Sequence, residues 1–180
     1  MSRVTLTPTA KIILGFLRFR PRSGYDIKQA VEISTRFFWG ASYGQIYPEL
    51  QRLERAGLVE IEQVAERRRK VYRLTPAGES ALADWLGGDD GDFFQYRDEG
   101  MLRLFFSDFV DAETALGNVR RMREWRDDAL AFLRAEIEPY AQEDMDAGLP
   151  FPLRALHLGL AMLEAQRDWL AELERELRDR

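Results

Sequence analysis

The chain lacks cysteine altogether and has a single histidine among its 180 residues. Without thiols it can form no disulfide, no thiolate metal site and no cysteine nucleophile. One histidine cannot supply a histidine cluster for metal binding, and the sequence contains neither a Gly-rich phosphate loop nor a Ser-His-Asp order. We therefore expect no enzyme activity, no metal and no cofactor.

Long apolar runs are missing as well. No stretch reaches the roughly 18 residues that a membrane span requires, and residues 1–19 lack a signal-peptide cleavage pattern. Hydrophobic residues make up 46% of the chain and charged residues 32%, which is typical of a soluble globular protein. We expect a cytoplasmic protein that has no membrane partner.

The net charge of −5 is the sum of a positive half and a negative half of the chain. Residues 1–86 contain 14 Lys/Arg and 9 Asp/Glu, a net of +5, whereas residues 87–180 contain 12 and 22, a net of −10. Such asymmetry indicates a basic part that binds a polyanion and an acidic part that binds another partner. Chance variation of surface charge between the halves is the alternative.

Residues 1–86 predict four helices and a hairpin. The Thr-Pro pairs at 7–8 and 75–76 are typical helix starts, because threonine suits the N-cap and proline the first helical position. Ser23 is the predicted cap of the second helix, and Gly57 ends the third. Within residues 58–74, apolar and polar side chains alternate over short stretches on both sides of a charged tip, residues 65–69. This pattern predicts a two-stranded hairpin with a longer loop.

The start of the third helix has two interpretations. Ser42-x-x-Gln45 fits a capping box. That start places Pro48 about six positions into the helix, where proline produces a kink. We therefore favour a start nearer Gly44 with an irregular entry, which weakens the capping-box interpretation.

Residues 87–91 interrupt both composition and pattern, and we predict a linker there. Beyond it, residues 92–180 carry apolar side chains at helical spacing, with Trp125 on the inner face of one long helix. Helices of nearly thirty residues are too long to be covered by a domain this small, so a second copy of the chain is expected to cover the rest.

The predicted fold class is mainly α. The order helix, helix, helix, strand, wing, strand is that of a winged helix-turn-helix with a two-stranded wing, formed by residues 1–86. Residues 92–180 are predicted to form a C-terminal α-helical dimerisation domain. In such a module the third helix buries one face and offers the other to a DNA groove.

The chain contains, in this order, the stretches "ILGFL", "SGYDI", "SYGQIYPELQRLERAGLVE" and "RRKVYRLTPAGESAL", followed by a long helical tail. This combination resembles the PadR family of bacterial transcription regulators. The tail is similar to that of the subgroup with a long C-terminal domain. The resemblance implies a homodimer on a roughly palindromic operator, usually a repressor, sometimes released by a small lipophilic or phenolic effector.

The candidate DNA-binding residues lie at the start of the second helix, in the third helix and in the wing: Ser23, Tyr25, Lys28, Ser42, Tyr43, Gln45, Tyr47, Arg52, Arg67, Arg68, Arg69 and Lys70. Glutamine can form two hydrogen bonds with adenine, so Gln45 is the predicted base contact, with helix capping as the alternative. Basic side chains at a wing suit phosphates or the minor groove. For Arg52, solvation is the alternative to a phosphate contact; for Tyr43 and Tyr47, it is core packing.

The acidic half is rich in aromatic residues. Phe105, Phe109, Trp125 and Trp169 are candidates for a pocket that binds a small aromatic or lipophilic effector, with core or dimer packing as the alternative. The sequence thus predicts a homodimeric repressor on double-stranded operator DNA. The alternative function is a winged-helix protein–protein interaction module that does not read an operator.

Overall fold

The computed structural model describes residues 5–65, 69–89, 97–137 and 151–179. The chain divides into two compact units, Met1–Asp92 and Phe93–Arg180. Residues 90–96 lie outside the described part, so the domain bounds 1–86 and 92–180 and the linker at 87–91 stay predictions. Within the described ranges, no helix is both long and apolar enough to cross a membrane.

The first unit begins with two capped helices. Helix α1 spans Pro8–Phe19, and the Thr7 hydroxyl oxygen accepts a hydrogen bond from the Ala10 amide at 3.0 Å. Helix α2 spans Gly24–Ile33 and is capped by Ser23. Both predicted starts are confirmed. A short 3-10 turn, Thr35–Phe37, leads from α2 towards the third helix.

Helix α3 spans Tyr43–Arg55, and its N-cap is Ser42. The Ser42 amide and hydroxyl both donate to Gln45 Oε1, at 2.9 and 3.1 Å. Our prediction of a later, irregular start is therefore wrong, because the Gln45 side chain closes the first turn. Pro48 has no N–H to donate to the Gly44 carbonyl, but Gly44 is exposed, so water can donate to that carbonyl instead.

Helix α3 ends where glycine was predicted to end it. Gly57 follows the helix with φ of 70°, in the left-handed region that glycine adopts without a steric penalty. Strand β2, Val59–Ala65, and strand β3, Arg69–Leu74, then pair antiparallel from Val59 opposite Leu74. The predicted hairpin is confirmed, and residues 66–68 of its tip lie outside the described residues.

A third strand that the sequence did not predict completes the sheet. Strand β1, Arg22–Ser23, pairs antiparallel with β3, which gives the order β1-β3-β2. Two residues are too short to show the alternation by which a strand is recognised. The wing hairpin is thereby tied by its backbone to the residues immediately before α2.

Helix α4, Pro76–Leu86, closes the first unit. The Thr75 hydroxyl accepts from the Gly78 amide at 3.1 Å and donates to the Gly57 carbonyl at 2.7 Å. A Cβ at position 78 would collide with the Leu58 carbonyl oxygen, so only glycine fits this approach. The core beneath these elements contains Ile13, Leu14, Leu17, Ile27, Val31, Ile46, Leu50, Leu53, Val59, Tyr72 and Leu82.

The described part of the second unit is helical. Helix α5 spans Glu99–Phe105, a 3-10 turn spans Ser107–Phe109, and helix α6 spans Ala112–Phe132 before a π-helical turn at Leu133–Ile137. Helix α7 spans Phe151–Arg178. Helices α6 and α7 pack together around Val119, Met122 and Leu170.

The inner face of α6 differs from the prediction by one residue. Trp125 is 55% exposed, whereas the neighbouring Arg126 is only 3% exposed. The Arg126 guanidinium donates to Asp98 Oδ2 at 2.7 Å, to Gln166 Oε1 at 3.0 Å and to the Met122 carbonyl at 2.9 Å. These partners satisfy the buried charge and link α6 to α7 and to the cap of α5, so Arg126 replaces tryptophan at the inner position.

A second buried charge holds the other end of the α6–α7 pair. The Glu174 carboxylate accepts from Arg120 Nε at 2.9 Å and from Arg123 Nε at 3.0 Å, and it also pairs with Arg178. The hydrogen bond from Arg120, together with the charges of the other two arginines, holds the pKa of Glu174 below its ordinary value although burial opposes this. Glu174 therefore joins α7 to α6 as a buried, negatively charged side chain.

Candidate nucleic-acid interface

Helix α3 has one buried face and one exposed face. Ile46, Leu50 and Leu53 are fully buried against α1 and α2. The exposed residues at the start and along the outer face are Ser42, Tyr43, Gln45, Tyr47 and Gln51. This is the division that a helix needs if it is held by its own domain and enters a groove.

Three tyrosines form a ladder across the starts of α2 and α3. The rings of Tyr25 and Tyr43 stack with centroids 6.4 Å apart, and those of Tyr43 and Tyr47 with centroids 6.1 Å apart. All three side chains are exposed, so the ladder is a surface and not part of the core. We call these three residues the tyrosine ladder.

The ladder depends on a close approach between α2 and α3. A Cβ at Gly24 would lie 2.7 Å from a ring carbon of Tyr47, so glycine at the first position of α2 lets that ring pack across the helix start. Gly24 was not among the site residues predicted from the sequence. The neighbouring "SGYD" letters were visible, but nothing in the sequence placed Tyr47 beside them.

Two cations lie against the tyrosine ladder. Lys28 Nζ is 5.9 Å from the centre of the Tyr43 ring, and Arg69 Cζ is 5.7 Å from the centre of the Tyr25 ring. Lys28 also pairs with Glu32 one turn further along α2. Stacked rings that carry cations offer hydroxyls and positive charge together, which is the combination that phosphate oxygens accept.

Arg69, the first residue of β3, is held in place by α2. Its Nε donates to the Ser23 hydroxyl at 2.8 Å, and its guanidinium forms an ion pair with Asp26. Burial raises the pKa of Asp26, but the hydrogen bonds from Arg69 and from Ser23 outweigh it and lower that pKa to about 2. Ser23 itself is only 2% exposed, so its hydroxyl serves the cap and Arg69.

The rest of the wing is described only in part. Lys70 Nζ lies 3.7 Å from a carboxylate oxygen of Glu54 on α3, and both side chains are partly exposed. Arg67 and Arg68 lie outside the described residues. The structure thus brings Arg69 and Lys70 together with α2 and α3 at the base of the wing.

Arg52 is paired with a carboxylate, as Lys28, Arg69 and Lys70 are, and its pair reaches the cap of α1. Its guanidinium donates to both carboxylate oxygens of Glu49, at distances from 2.7 to 3.1 Å, and Glu49 accepts from the Thr7 hydroxyl at 2.6 Å. The bond from Arg52 lowers the pKa of Glu49, and the same pair raises the pKa of Arg52. Arg52 therefore joins α3 to the cap of α1, and a phosphate would have to compete with Glu49 for it.

The candidate effector residues are exposed in the single chain. Phe105, Phe109, Trp125 and Trp169 have 79%, 87%, 55% and 52% of their surface exposed. The rings of Phe105 and Phe109 both contact Phe106, at centroid distances of 5.0 and 6.5 Å. Among the described residues, no group of three or more His, Cys, Asp or Glu side chains could hold a metal ion.

Comparisons with known families cover both units. A model described as the transcriptional regulator PadR-like family matches residues 13–84, and one described as the virulence activator alpha C-terminal region matches residues 96–178. The negative transcriptional regulator PadR of Bacillus subtilis is 29% identical over 166 residues, which cover 90% of this chain and 91% of that protein. The chain thus contains a PadR-like family domain at residues 13–84, and it is similar to a PadR regulator over most of its length.

Solved structures of PadR-like proteins have the same fold over nearly the whole chain. A PadR-like regulator from Bacillus cereus superposes with a TM-score of 0.81 at 27% identity, covering 95% of this chain and 98% of that one. Bacillus subtilis PadR in complex with operator DNA gives 0.81 at 25% identity, covering 97% and 99%. The Vibrio cholerae virulence activator AphA gives 0.72 at 27% identity, covering 95% and 98%.

Proposed function

We propose that this PadR-like regulator is a repressor that binds a roughly palindromic operator in double-stranded DNA as a homodimer. The observation that carries the proposal is the exposed polar face of α3 beside the tyrosine ladder and the cations Lys28 and Arg69. The Bacillus subtilis relative whose structure is described with operator DNA supports the same assignment. Such a protein would act in the cytoplasm, where the bacterial chromosome lies.

The proposed contacts divide into base reading and phosphate binding. While its oxygen accepts from the Ser42 amide and hydroxyl, Gln45 keeps two amide N–H donors, so it can donate to an acceptor on a base edge without giving up the cap. The two-bond contact with adenine, which also needs the oxygen, requires that the cap opens. Phosphate contacts are assigned to Tyr25, Lys28, Tyr43 and Tyr47, and to the wing residues Arg67, Arg68, Arg69 and Lys70. Ser23 and Ser42 help to position the helix starts, and Arg52 contacts phosphate only if it leaves Glu49.

The proposed dimer uses the second unit, residues 92–180. Large apolar side chains are exposed along α5, the 3-10 turn, α6 and α7: Phe105, Phe106, Phe109, Trp125, Phe151, Leu158 and Trp169. A second copy packed on these side chains would remove them from water. Two modules held in this way would meet successive major-groove turns about 34 Å apart.

The sign of regulation and the effector rest on the relatives. One relative is described as a negative regulator and another as a virulence activator, and we assign repression from the first, which is 29% identical over 166 residues that cover 90% of this chain. A structure of Bacillus subtilis PadR contains p-coumaric acid, with a TM-score of 0.72 at 26% identity. We therefore propose a small aromatic or lipophilic effector near Phe105, Phe109, Trp125 and Trp169, at the dimer centre.

The test is a titration of the full-length protein against fluorescent DNA from upstream of its own gene, with shuffled DNA as competitor. We expect a specific complex that the competitor does not remove, and a loss of about tenfold in affinity for Gln45→Ala. Gln29→Ala, an exposed glutamine on α2, is the matched control and should bind as the wild type does. Circular dichroism checks that Gln45→Ala keeps its helices.

Equal affinity for specific and shuffled DNA would overturn the proposal. In that case the winged module would act through protein partners. A specific complex that Gln45→Ala leaves unchanged would keep the operator but remove Gln45 from base reading.

A further inference from the structure

Each candidate DNA-binding cation that the structure describes lies beside a carboxylate of the same chain. Two of the pairs lie within α2 and α3, and two join strand β3 to those helices. The four pairs are Lys28–Glu32, Arg52–Glu49, Arg69–Asp26 and Lys70–Glu54. A surface proposed to bind DNA through positive charge is thereby partly neutralised in the free protein.

Three of these four carboxylates accept a further hydrogen bond within the first unit. The further donors are Ser23 for Asp26, Thr7 for Glu49 and Arg36 for Glu32. Within the part of the chain that the structure describes, the partner of Glu54 is Lys70, which the wing supplies. Glu54 is therefore the carboxylate whose place the fold explains least.

Glu54 occupies a position that a helix disfavours for an acidic residue. It lies in the last turn of α3, where the helix dipole is negative and favours cations such as the neighbouring Arg52 and Arg55. With Gln51 and Arg55 it lines an open depression on the outer face of the helix. The helix itself gains nothing from this charge, which lies on the surface proposed to meet DNA.

The contact between Glu54 and Lys70 leaves the ammonium group able to bind a phosphate. Lys70 Nζ lies 3.7 Å from the carboxylate oxygen, which is an ion-pair distance and too long for a good hydrogen bond. The ammonium carries three N–H donors, and the Lys70 side chain is 47% exposed. A phosphate can therefore reach Lys70 while Glu54 stays nearby.

An adjacent carboxylate shortens the range over which a lysine attracts DNA. The two charges cancel at a distance, so the attraction for a phosphate falls off faster than that of a lone cation. A phosphate within hydrogen-bond reach of Lys70 lies closer to the ammonium than to Glu54 and is still attracted. Non-specific DNA is held by attraction that needs no fixed phosphate position, so the pair weakens that binding most.

We propose that Glu54 is a specificity-determining residue, which lowers the affinity for non-operator DNA by neutralising Lys70 until an operator phosphate is in place. The inference rests on the proposed function and deepens it, because base contacts from α3 are what would fix that phosphate beside Lys70. Glu54 acts through an unfavourable effect on the wrong DNA and not through a contact with the right DNA.

The test measures the affinity of the full-length protein for its own upstream DNA and for shuffled DNA over a range of salt concentrations. Glu54→Gln should bind shuffled DNA about fivefold more tightly, and upstream DNA less than about twofold more tightly. On shuffled DNA the slope of log affinity against log salt should become steeper by about 0.9, because Lys70 then contacts one more phosphate. On upstream DNA the slope should stay unchanged.

Two further variants make the test specific to the pair. Glu60→Gln removes an equal charge beside Arg73, a cation of β3 that is not among the candidate DNA-binding residues, and should keep the wild-type ratio of the two affinities. In a Lys70→Gln background, Glu54→Gln should change neither affinity, because Glu54 acts through Lys70. Chemical unfolding should show Glu54→Gln to be as stable as the wild type, since an exposed pair contributes little to stability.

The inference is overturned if Glu54→Gln keeps the wild-type ratio of the two affinities, or if Glu60→Gln lowers that ratio as much, because net charge alone would then decide it. A loss of affinity for upstream DNA would also overturn it, since Glu54 would then bind a base, as a carboxylate can with cytosine. These three results leave the proposed function intact. A wild type that binds both DNAs equally would overturn the proposed function, and this inference with it.

Discussion

Asp26 is the residue that joins the wing to α2. Its carboxylate accepts from the Ser23 amide at 3.0 Å and from the Ser23 hydroxyl at 2.8 Å, and it pairs with Arg69 across 43 residues of sequence. One acidic side chain thus completes a helix cap and fixes a wing cation. Asp26 was not among the residues predicted from the sequence, because it is one of few acidic residues in a basic half of the chain.

The Asp26 contacts predict a specific pH dependence of stability. Its pKa lies at about 2 in the folded chain and near 3.8 ordinarily, so its contribution is present above about pH 4 and is lost as the pH falls towards 2. We expect Asp26→Asn to be less stable than the wild type at neutral pH. The difference between the two unfolding curves should vanish between pH 4 and 2, as measured by chemical denaturation.

The control for Asp26 is Glu62→Gln, an exposed carboxylate on β2 of the same unit. It should follow the wild-type curve through the same pH range. A constant gap between the wild type and Asp26→Asn down to pH 2 would mean that the Asp26 carboxylate is not stabilised by Arg69 and Ser23.

Arg126 predicts a large effect of one buried charge. Arg126→Met removes the partner of Asp98 and the bond to Gln166, and loss of a buried ion-pair partner costs about 3 kcal/mol. Arg121→Met, on the exposed surface of α6, should change stability by about 0.5 kcal/mol or less. Urea unfolding measures both, and equal stability of the two variants would contradict the role given to Arg126.

At the scale of the element, two glycines have opposite roles. A Cβ at Gly15 in α1 meets no atom within 4 Å, whereas a Cβ at Gly78 in α4 meets the Leu58 carbonyl. Gly15→Ala should therefore stabilise the chain by about 0.5–1 kcal/mol, since alanine favours helix interiors. Gly78→Ala should destabilise it by about 1–3 kcal/mol through overpacking. Thermal unfolding checks the pair, and the same sign for both would contradict the packing of α4.

Local signals in the sequence predicted most of the elements. Thr7, Ser23, Thr75 and Gly57 mark helix ends by chemistry that acts over three or four residues, and each occupies its predicted place. The start of α3 was predicted wrongly because Pro48 was expected to kink a helix that begins at Ser42. The proline leaves only the Gly44 carbonyl without its helical donor, and Gly44 is exposed, so the helix still begins with the capping bond of Gln45.

Contacts between distant residues could not be read from the sequence. Strand β1 is made by pairing with β3, and the Thr7 hydroxyl donates to Glu49 across 42 residues, which attaches the Glu49–Arg52 pair to the cap of α1. Arg126 is buried beside Trp125 because Asp98 and Gln166 meet it there. A hydrophobic pattern places tryptophan inside and arginine outside, since it counts apolarity and not available partners.

At the scale of the whole molecule, the exposed apolar side chains of the second unit predict self-association. Leu158 on α7 is 63% exposed, and Leu158→Glu would place a charge in the proposed interface. We expect the wild type to sediment at twice the monomer mass of 20.9 kDa and Leu158→Glu to shift towards the monomer at low concentration. Glu176→Ala, which is also exposed on α7, is the control. A wild-type monomer would contradict the proposed dimer.

The charge of the chain is divided between its two parts. In our proposal the positive residues 1–86 bind DNA and the negative residues 87–180 do not. The most direct test is the salt dependence of operator affinity for the wild type and for the triple variant Arg67→Ala, Arg68→Ala, Arg69→Ala. Each phosphate contact contributes a slope of about 0.9 in log affinity against log salt. We predict that the triple variant has a slope lower by about 2 and weaker binding to every DNA sequence. An unchanged slope would contradict the account, because the wing would then not touch DNA.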